Sequence, residues 1–375
     1  MKIMTILGTR PEIIRLSRVI PLLDRFAAEH VLVHTGQNFD EKLSDLFFRE
    51  LGVRQPDVHL ALGSSRVGEQ IGRILGGTED VIEKYRPDRI LILGDTNSGL
   101  AAIMARRFGI PVYHMEAGNR CYDDRVPEEV NRRVIDHCST VLMPYTERSR
   151  QNLLREGIPG EKIFVTGNPI KEVLDHYEPE IASSRILEDM QLSAGKYFLV
   201  TMHRSENVDI PVRLKSLVAA LEKLHDQYGF PVICSLHPRT RAKVEQFGIA
   251  VDHAGLKMVE PLGFFDFVKL EKSAFCLLSD SGTVQEEGCL FRVPNVTIRD
   301  VTERPETIEG GSNVLASCDP GQILAHVQMV TSGMGDWRIP PEYLVQSVSN
   351  TVVRIVLGYA AEDLAGQQWS AGLKP

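Results

Sequence analysis

Between Met115 and Arg133 the chain reads MEAGNRCYDDRVPEEVNRR, with five carboxylates (Glu116, Asp123, Asp124, Glu128, Glu129) and four arginines (Arg120, Arg125, Arg132, Arg133). It follows directly on GIPVYH, which reads as a buried strand. Charge runs are usually solvated faces. At a strand end, a second reading competes: the acids move protons and the arginines hold a charged substrate. Other polar pieces follow apolar runs in the same way: GDTNS (94–98), TMHRSEN (201–207) and SLHPRT (235–240). Each carries an acid or a histidine. One such histidine alone is more often structural, but the set together points to a site.

Anion chemistry is suggested twice more. In GTRPE (8–12) Gly8 permits a tight turn, Arg10 offers a two-pronged donor and Pro11 suits a helix start. A plain strand-to-helix turn accounts for the same letters equally well. In SGTVQEEG (281–288), Ser281, Gly282 and Thr283 stand where a helix begins, and free N–H groups there bind phosphates. A carboxylate one turn in suits ribose hydroxyls, whereas a capping box would need no ligand. RDVTERPE (299–306) adds Arg299 and Arg304, or is a surface turn. None of these is GxGxxG, so no nicotinamide site is indicated.

The elements that must position these residues alternate. The apolar runs 2–7, 30–35, 88–94, 110–115 and 140–145 read as strands, with helices over 11–28 and 97–108 between them. The second half repeats the scheme at 197–202, 230–236, 274–280 and 293–298. Near-continuous apolar strands separated by helices predict parallel sheets covered on both faces. The expected fold is α/β, two doubly wound Rossmann-like domains facing a central cleft, with ligands at the carboxyl ends of the strands. The expected boundaries are 1–177 and 178–359, with a linker over about 177–195 and a C-terminal helix near 360–375 returning to the first domain. Tyr343 to Ala360 is a further amphipathic stretch that suits the same return.

With 375 residues, two domains are the natural expectation. The composition is 43% hydrophobic and 25% charged, as in a globular protein, and the net charge of −8 argues against a nucleic-acid surface. Six scattered cysteines without a CxxC pair suggest neither zinc nor a disulfide framework. No stretch has the length of a signal peptide or membrane span, so a cytoplasmic enzyme without membrane partners is expected.

Taken together, GTRPE, GDT, EAG, PEE-NR, TGN, DSG--QEE and RD-TERPE resemble, in order and spacing, the non-hydrolysing UDP-N-acetylglucosamine 2-epimerases. The resemblance runs over nearly the whole chain. It implies the glycosyltransferase-B architecture, no redox cofactor and no metal. The C2 hydrogen of such a sugar is not next to a carbonyl, so simple deprotonation is prohibitively hard. The route the resemblance implies is anti elimination of UDP to 2-acetamidoglucal, then re-addition with a proton delivered to the other face of C2. It further implies catalytic roles for Asp95, Glu116, Glu128 and His203, with Arg132 in support. Arg10, Ser281, Gly282 and Glu287 match UDP-binding positions, with Glu287 on the ribose. Arg15, His237 and Arg304 join them as candidate substrate-binding residues. The partners implied are a UDP-sugar and UDP, and a homodimer is the expected assembly.

The chain also departs from the commonest family members. Arg15 replaces a lysine, EAGNRC an EAGLRT, and HRSE an HRRE, while GQNFDEKL (36–43) replaces a run associated with allosteric activation by substrate. Some of these features resemble a branch acting on UDP-2,3-diacetamido uronic acids or on the precursor of UDP-N-acetyl-L-fucosamine. The RDVTERPETIE end resembles the main branch, so UDP-GlcNAc stands first. A glycosyltransferase of the same fold, a hydrolysing epimerase and a nucleotide-sugar sensor are the rival readings. Fold alone does not separate them.

Overall fold

A computed structural model describes residues 1–37, 41–60, 66–236, 238–251, 253–333 and 336–359, with main chain only for 41–43. The chain divides into two compact units, Met1–Val173 with the residues from Leu344 on, and Leu174–Tyr343. Each is built on a six-stranded parallel sheet.

The first sheet holds β1 (Lys2–Leu7), β2 (Glu29–His34), β3 (Val58–His59), β4 (Arg89–Leu93), β5 (Val112–Met115) and β6 (Val141–Met143). Their order is β3-β2-β1-β4-β5-β6. The second holds β7 (Phe198–Met202), β8 (Val232–Leu236), β9 (Leu256–Val259), β10 (Cys276–Ser279), β11 (Asn295–Thr297) and β12 (Asn313–Leu315), in the order β12-β11-β10-β7-β8-β9. Both sheets follow one path: the first strand of the unit lies in the middle, and the chain then builds outward on either side. Each therefore has one point where the strand order reverses, between β1 and β4 in one sheet and between β7 and β10 in the other. The crevice past the carboxyl ends at such a point is where doubly wound folds bind ligands.

The central strands are buried along nearly their whole length because helices cover both faces, and this is why they read as unbroken apolar runs. Three strands escape the sequence reading, β3, β9 and β12. All lie at sheet edges or next to them, and all are short and only partly buried, so they leave no apolar signature.

Other elements differ from expectation for identifiable reasons. The helix expected over 11–28 is two, Arg10–Leu16 and Val19–Phe26. The first helix closes with a tight bond from the Ser17 N–H to the Ile14 carbonyl (3.2 Å), and Pro21, which has no N–H to give to the Ser17 carbonyl, lies in the first turn of the second. The expected linker at 177–195 contains the short helices Glu178–Ser183 and Ile186–Asp189, which belong to the second unit. Ile186, Leu187 and Leu192 pack on that unit's core, and Lys272 pairs with Glu178 at 2.6 Å.

The boundary expected at 359 falls instead after Tyr343. The helix Val348–Gly358 buries Val348, Val352 and Val356, which share one face at four-residue spacing, and it packs on the helix Val19–Phe26. It is tied down at both ends. The Ser349 N–H donates to Glu172 (2.8 Å), and Arg89 donates to the carbonyl of Val356. The helix expected near 360–375 lies outside the described residues.

This docking predicts a stability cost. Val352→Asp places a charge without a partner in the first unit's core, so chemical denaturation should show a loss of about 3 kcal/mol or more. Asn350→Gln, exposed on the same helix, should stay within about 0.5 kcal/mol of the parent.

Candidate active site

The turn after β1 is shaped by close packing. A Cβ on Gly8 would lie 2.1 Å from Thr35 Oγ1 and 2.2 Å from Ser98 Oγ, so only glycine fits. Thr9 then caps the helix Arg10–Leu16 in a capping box with Glu12. The buried Glu12 carboxylate accepts from the N–H groups of Gly8 (2.5 Å) and Thr9 (2.8 Å). It also accepts from the hydroxyl of Thr96 (2.7 Å), in the turn after β4. One carboxylate thus ties together the two turns flanking the reversal point. Burial pushes its pKa up to about 7, against the pull of the Thr96 hydroxyl and the two N–H groups.

Past β4, Gly94 donates its N–H to Met115 (3.1 Å), which aligns the next two strand ends. Asp95 is paired with Arg132, whose guanidinium nitrogens reach it at 2.5 and 3.1 Å. Arg132 is itself buried, and its third contact is Glu129 at 2.8 Å. Asn131 donates to the carbonyl of Asp95 (3.0 Å) and to Asn97 (3.0 Å). The helix Pro127–Cys138 therefore holds the GDT turn by two consecutive side chains. Glu129 is fully buried. Burial alone would raise its pKa, but the Cys121 N–H and the Arg132 charge prevail and it lies below the ordinary value. Glu128, one residue earlier in the first helical turn, is half-buried.

Glu116 begins the turn after β5 with φ +65, a left-handed backbone that a non-glycine residue adopts only when its surroundings enforce it. Its N–H is bonded to Met143 of β6 (3.1 Å). Its carboxylate meets Arg15 at 3.2 Å and the Asn119 amide at 3.3 Å. Arg15 is buried and also lies over the Tyr145 ring, 5.5 Å from its centre. Arg10 stands over Phe47 at 5.8 Å. His114 has a structural role. It is fully buried, bound to Asp136 (2.9 Å) and to the carbonyl of Gly94 (2.8 Å).

In the second unit the reversal point is tied the same way, by Asp280 after β10. This buried carboxylate accepts from the N–H groups of His203 (3.0 Å) and Arg204 (3.0 Å) and from the Asn207 amide (3.1 Å). The His203 imidazole lies 3.2 Å from it through Nδ1 while the ring stays 40% exposed. Asp280 thus sets the ring's orientation. Next in sequence, Ser281 is the N-cap of the helix Gly282–Phe291. A Cβ on Gly282 would lie 3.6 Å from an Arg304 guanidinium nitrogen, so Arg304 stands beside the helix's first turn. Arg304 is held there by the buried Glu286. Glu287 is buried next to Glu271. Burial and the Glu287 carboxyl raise the Glu271 pKa well above its ordinary value.

The structure thus gathers Arg10, Arg15, Asp95, Glu116, Glu128 and Arg132 at the carboxyl end of the first sheet. His203, Ser281, Gly282, Glu287 and Arg304 lie at that of the second. His237 lies outside the described residues. The sequence reading missed the holding residues, Glu12, Asn119, Glu129, Asn131 and Asp280. Among the described residues no group of three or more histidine, cysteine or acidic side chains could hold a metal, and no helix is long and apolar enough to cross a membrane.

Residues 22–356 match the UDP-N-acetylglucosamine 2-epimerase family. The chain belongs to that family. It is 40% identical over 347 residues to the UDP-N-acetylglucosamine 2-epimerase of Methanocaldococcus jannaschii, covering 91% of this chain and 95% of that protein. It is 38% identical over 319 residues to the UDP-2,3-diacetamido-2,3-dideoxy-D-glucuronate 2-epimerase of Pseudomonas aeruginosa, covering 84% of this chain and 88% of that one. The crystal structure of the M. jannaschii epimerase in complex with UDP-GlcNAc and UDP superposes with a TM-score of 0.90 at 39% identity, over 95% of this chain and 99% of that one. A glycosyltransferase involved in lipopolysaccharide biosynthesis shares the fold alone, with a TM-score of 0.56 at 10% identity over 95% of both chains.

In this epimerase the tie at Glu12 has a pH signature. Its folded pKa, about 7, is raised above 4.5, so the folded state keeps a proton that the unfolded chain has lost. The associated stability is full below pH 4.5 and is lost as pH rises through 7. Glu12→Gln keeps acceptors for the two N–H groups and removes the titration. Relative to wild type it should gain up to about 3 kcal/mol between those limits, read as the difference between denaturation curves at matched pH.

Proposed function

We propose that the protein is a non-hydrolysing UDP-N-acetylglucosamine 2-epimerase that interconverts UDP-GlcNAc and UDP-ManNAc. The observation that carries this reading is the family match over residues 22–356. The polar ends of the two sheets supply the chemistry the reaction needs. A base takes the C2 proton, the C1–O bond breaks, and UDP leaves with the bonding electrons, giving 2-acetamidoglucal. UDP then re-forms the C1–O bond while an acid protonates the other face of C2. Asp95, Glu116 and Glu128 are the acids assigned to this proton traffic, and His203 acts with them. Arg132 keeps Asp95 oriented. The first turn of the helix Gly282–Phe291 offers N–H groups to the pyrophosphate, with Arg304 beside it, and Arg10 and Arg15 are the substrate-binding cations assigned to the first unit. Glu287 accepts from ribose hydroxyls.

A second substrate is favoured by one observation: the 38% identical P. aeruginosa relative epimerises a diacetamido uronic acid. A cytoplasmic homodimer that feeds surface polysaccharide synthesis belongs to the same proposal.

Run in D₂O with UDP-GlcNAc, the enzyme should place deuterium at C2 of the product, followed by NMR at C1 and C2. Full retention of protium during C2 epimerisation would sink the elimination route. Offering UDP-GlcNAc and a UDP-2,3-diacetamido uronic acid side by side decides between the two substrates.

Two sets of variants check the residue roles. Glu116→Gln and Glu128→Gln should bind UDP as wild type does in calorimetry while losing activity by roughly 10² or more. Ser281→Trp should abolish that binding.

A further inference from the structure

We propose that Asn119 is a positioning residue for Glu116, the last link of a directed hydrogen-bond chain running Thr146 to Ser149 to Asn119 to the Glu116 carboxylate. The direction follows from donor and acceptor accounting. Thr146 caps the helix Glu147–Arg155 and accepts the Ser149 N–H at 3.2 Å, so its own hydroxyl proton is available to Ser149 Oγ at 3.1 Å. The Ser149 hydroxyl donates to Asn119 Oδ1 at 2.8 Å. The Glu116 carboxylate can only accept, and that fixes which end of the amide is which. Asn119 Nδ2 therefore points at Glu116 Oε1, at 3.3 Å, and donates to it. The reverse orientation would set a carbonyl oxygen against a carboxylate. Thr146, Ser149 and Asn119 are all buried, at 3%, 5% and 6% exposure, so water does not compete for these bonds.

The backbone leaves the chain little freedom. Gly118 has φ +79, and a Cβ there would lie 2.3 Å from the Ser149 carbonyl oxygen. The turn is thus pressed directly onto the helix that carries Ser149. Asn152 of the same helix donates to the Gly118 carbonyl at 3.0 Å. Arg15 holds the other carboxylate oxygen, Oε2, at 3.2 Å. The two oxygens of Glu116 are therefore distinguished: one faces a cation, the other a neutral amide at the end of a polarised chain. A carboxylate that must meet a C–H bond needs such fixed orientation.

The proposal rests on the reading of Glu116 as an acid/base group in C2 epimerisation. The test is steady-state kinetics on purified full-length variants, with UDP affinity and thermal unfolding measured alongside. Asn119→Asp has the same shape but can donate nothing and sets a second carboxyl against Glu116. kcat should fall by roughly 10², KM staying within about twofold. Asn119→Leu loses the bond without adding charge, and kcat should fall about tenfold. Ser149→Ala frees the amide to turn and should cost about threefold in kcat. A packing role for Asn119 predicts the opposite order, with the isosteric aspartate mildest. If Asn119→Asp does not fold, Ser149→Ala and Asn119→Leu carry the test.

The order aspartate, leucine, then Ser149→Ala, expressed in kcat, supports the proposal. Wild-type kcat in Asn119→Leu and Ser149→Ala, or losses confined to KM, would overturn it while leaving the epimerase reading intact. A wild type that converts no UDP-2-acetamido sugar would overturn both.

Discussion

In each unit, one buried carboxylate holds the polar end of the sheet together. Glu12 in one unit and Asp280 in the other each lie at the point where strand order reverses. Glu12 accepts three donors from the turns after β1 and β4, and Asp280, itself in the turn after β10, accepts three from the segment after β7. A carboxylate taken out of water keeps its place only if donors surround it. The turns after β1 and β7 each supply two backbone N–H groups, and the Thr96 hydroxyl and the Asn207 amide complete the two sets. The requirement works in both directions. The carboxylate needs the turns, and the turns are fixed by the carboxylate. The side chains they carry, Arg10 and Asp95 in one unit and His203 and Ser281 in the other, inherit defined positions.

The same logic spreads outward from these ties. Arg132 is buried and must be paired, and it is paired twice, with Asp95 and Glu129. Arg304 is buried and paired with Glu286. Arg299 is buried between Glu206 at 3.2 Å and Glu303 at 2.8 Å. Such pairs add little net stability, because desolvation offsets most of their attraction. Their effect is orientation. A guanidinium clamped by one acid presents its remaining edge in one direction, which suits it to hold an anion or to keep a second acid ionised.

Much of this was legible in the sequence, and the exceptions share a cause. Central parallel strands bury both faces, so KIMTIL and DRILILG announce themselves as unbroken apolar runs. The two-residue Val58–His59 strand does not. The site motifs could be found because glycines, acids and arginines cluster past strand ends. Their holding partners could not, because the bonds span long stretches of chain: Glu12 to Thr96 crosses 84 residues and Asp280 to His203 crosses 77. Nothing local marks Glu12 as more than a capping glutamate. The first boundary, expected at 177, lies at Val173, and Tyr343 to Ala360 reads as suited to a return to the first unit. The second boundary, expected at 359, lies earlier, because the valine stripe of Val348–Gly358 says that the helix is buried on one face without fixing where the chain crosses over. At Ser17–Arg18 the signal was present, since Pro21 cannot donate to Ser17, but continuous apolar periodicity on both sides masked it.

The charged stretch 115–133 is neither a solvated loop nor uniformly a site. Register on the helix Pro127–Cys138 sorts it. Glu129, Arg132 and Asp136 recur at intervals of three and four residues, share the inward face, and are buried with partners in their own unit. Asp124 and Arg125 precede the helix and are exposed, at 71% and 72%. Glu116 lies between these extremes at 10% exposure, on a left-handed turn, with one oxygen toward Arg15 and the other toward Asn119. A purely structural carboxylate would be enclosed like Asp136, and a purely solvating one would resemble Asp124. Partial enclosure with both oxygens oriented is the condition under which an acid can exchange protons with solvent and still meet one reacting atom from one direction.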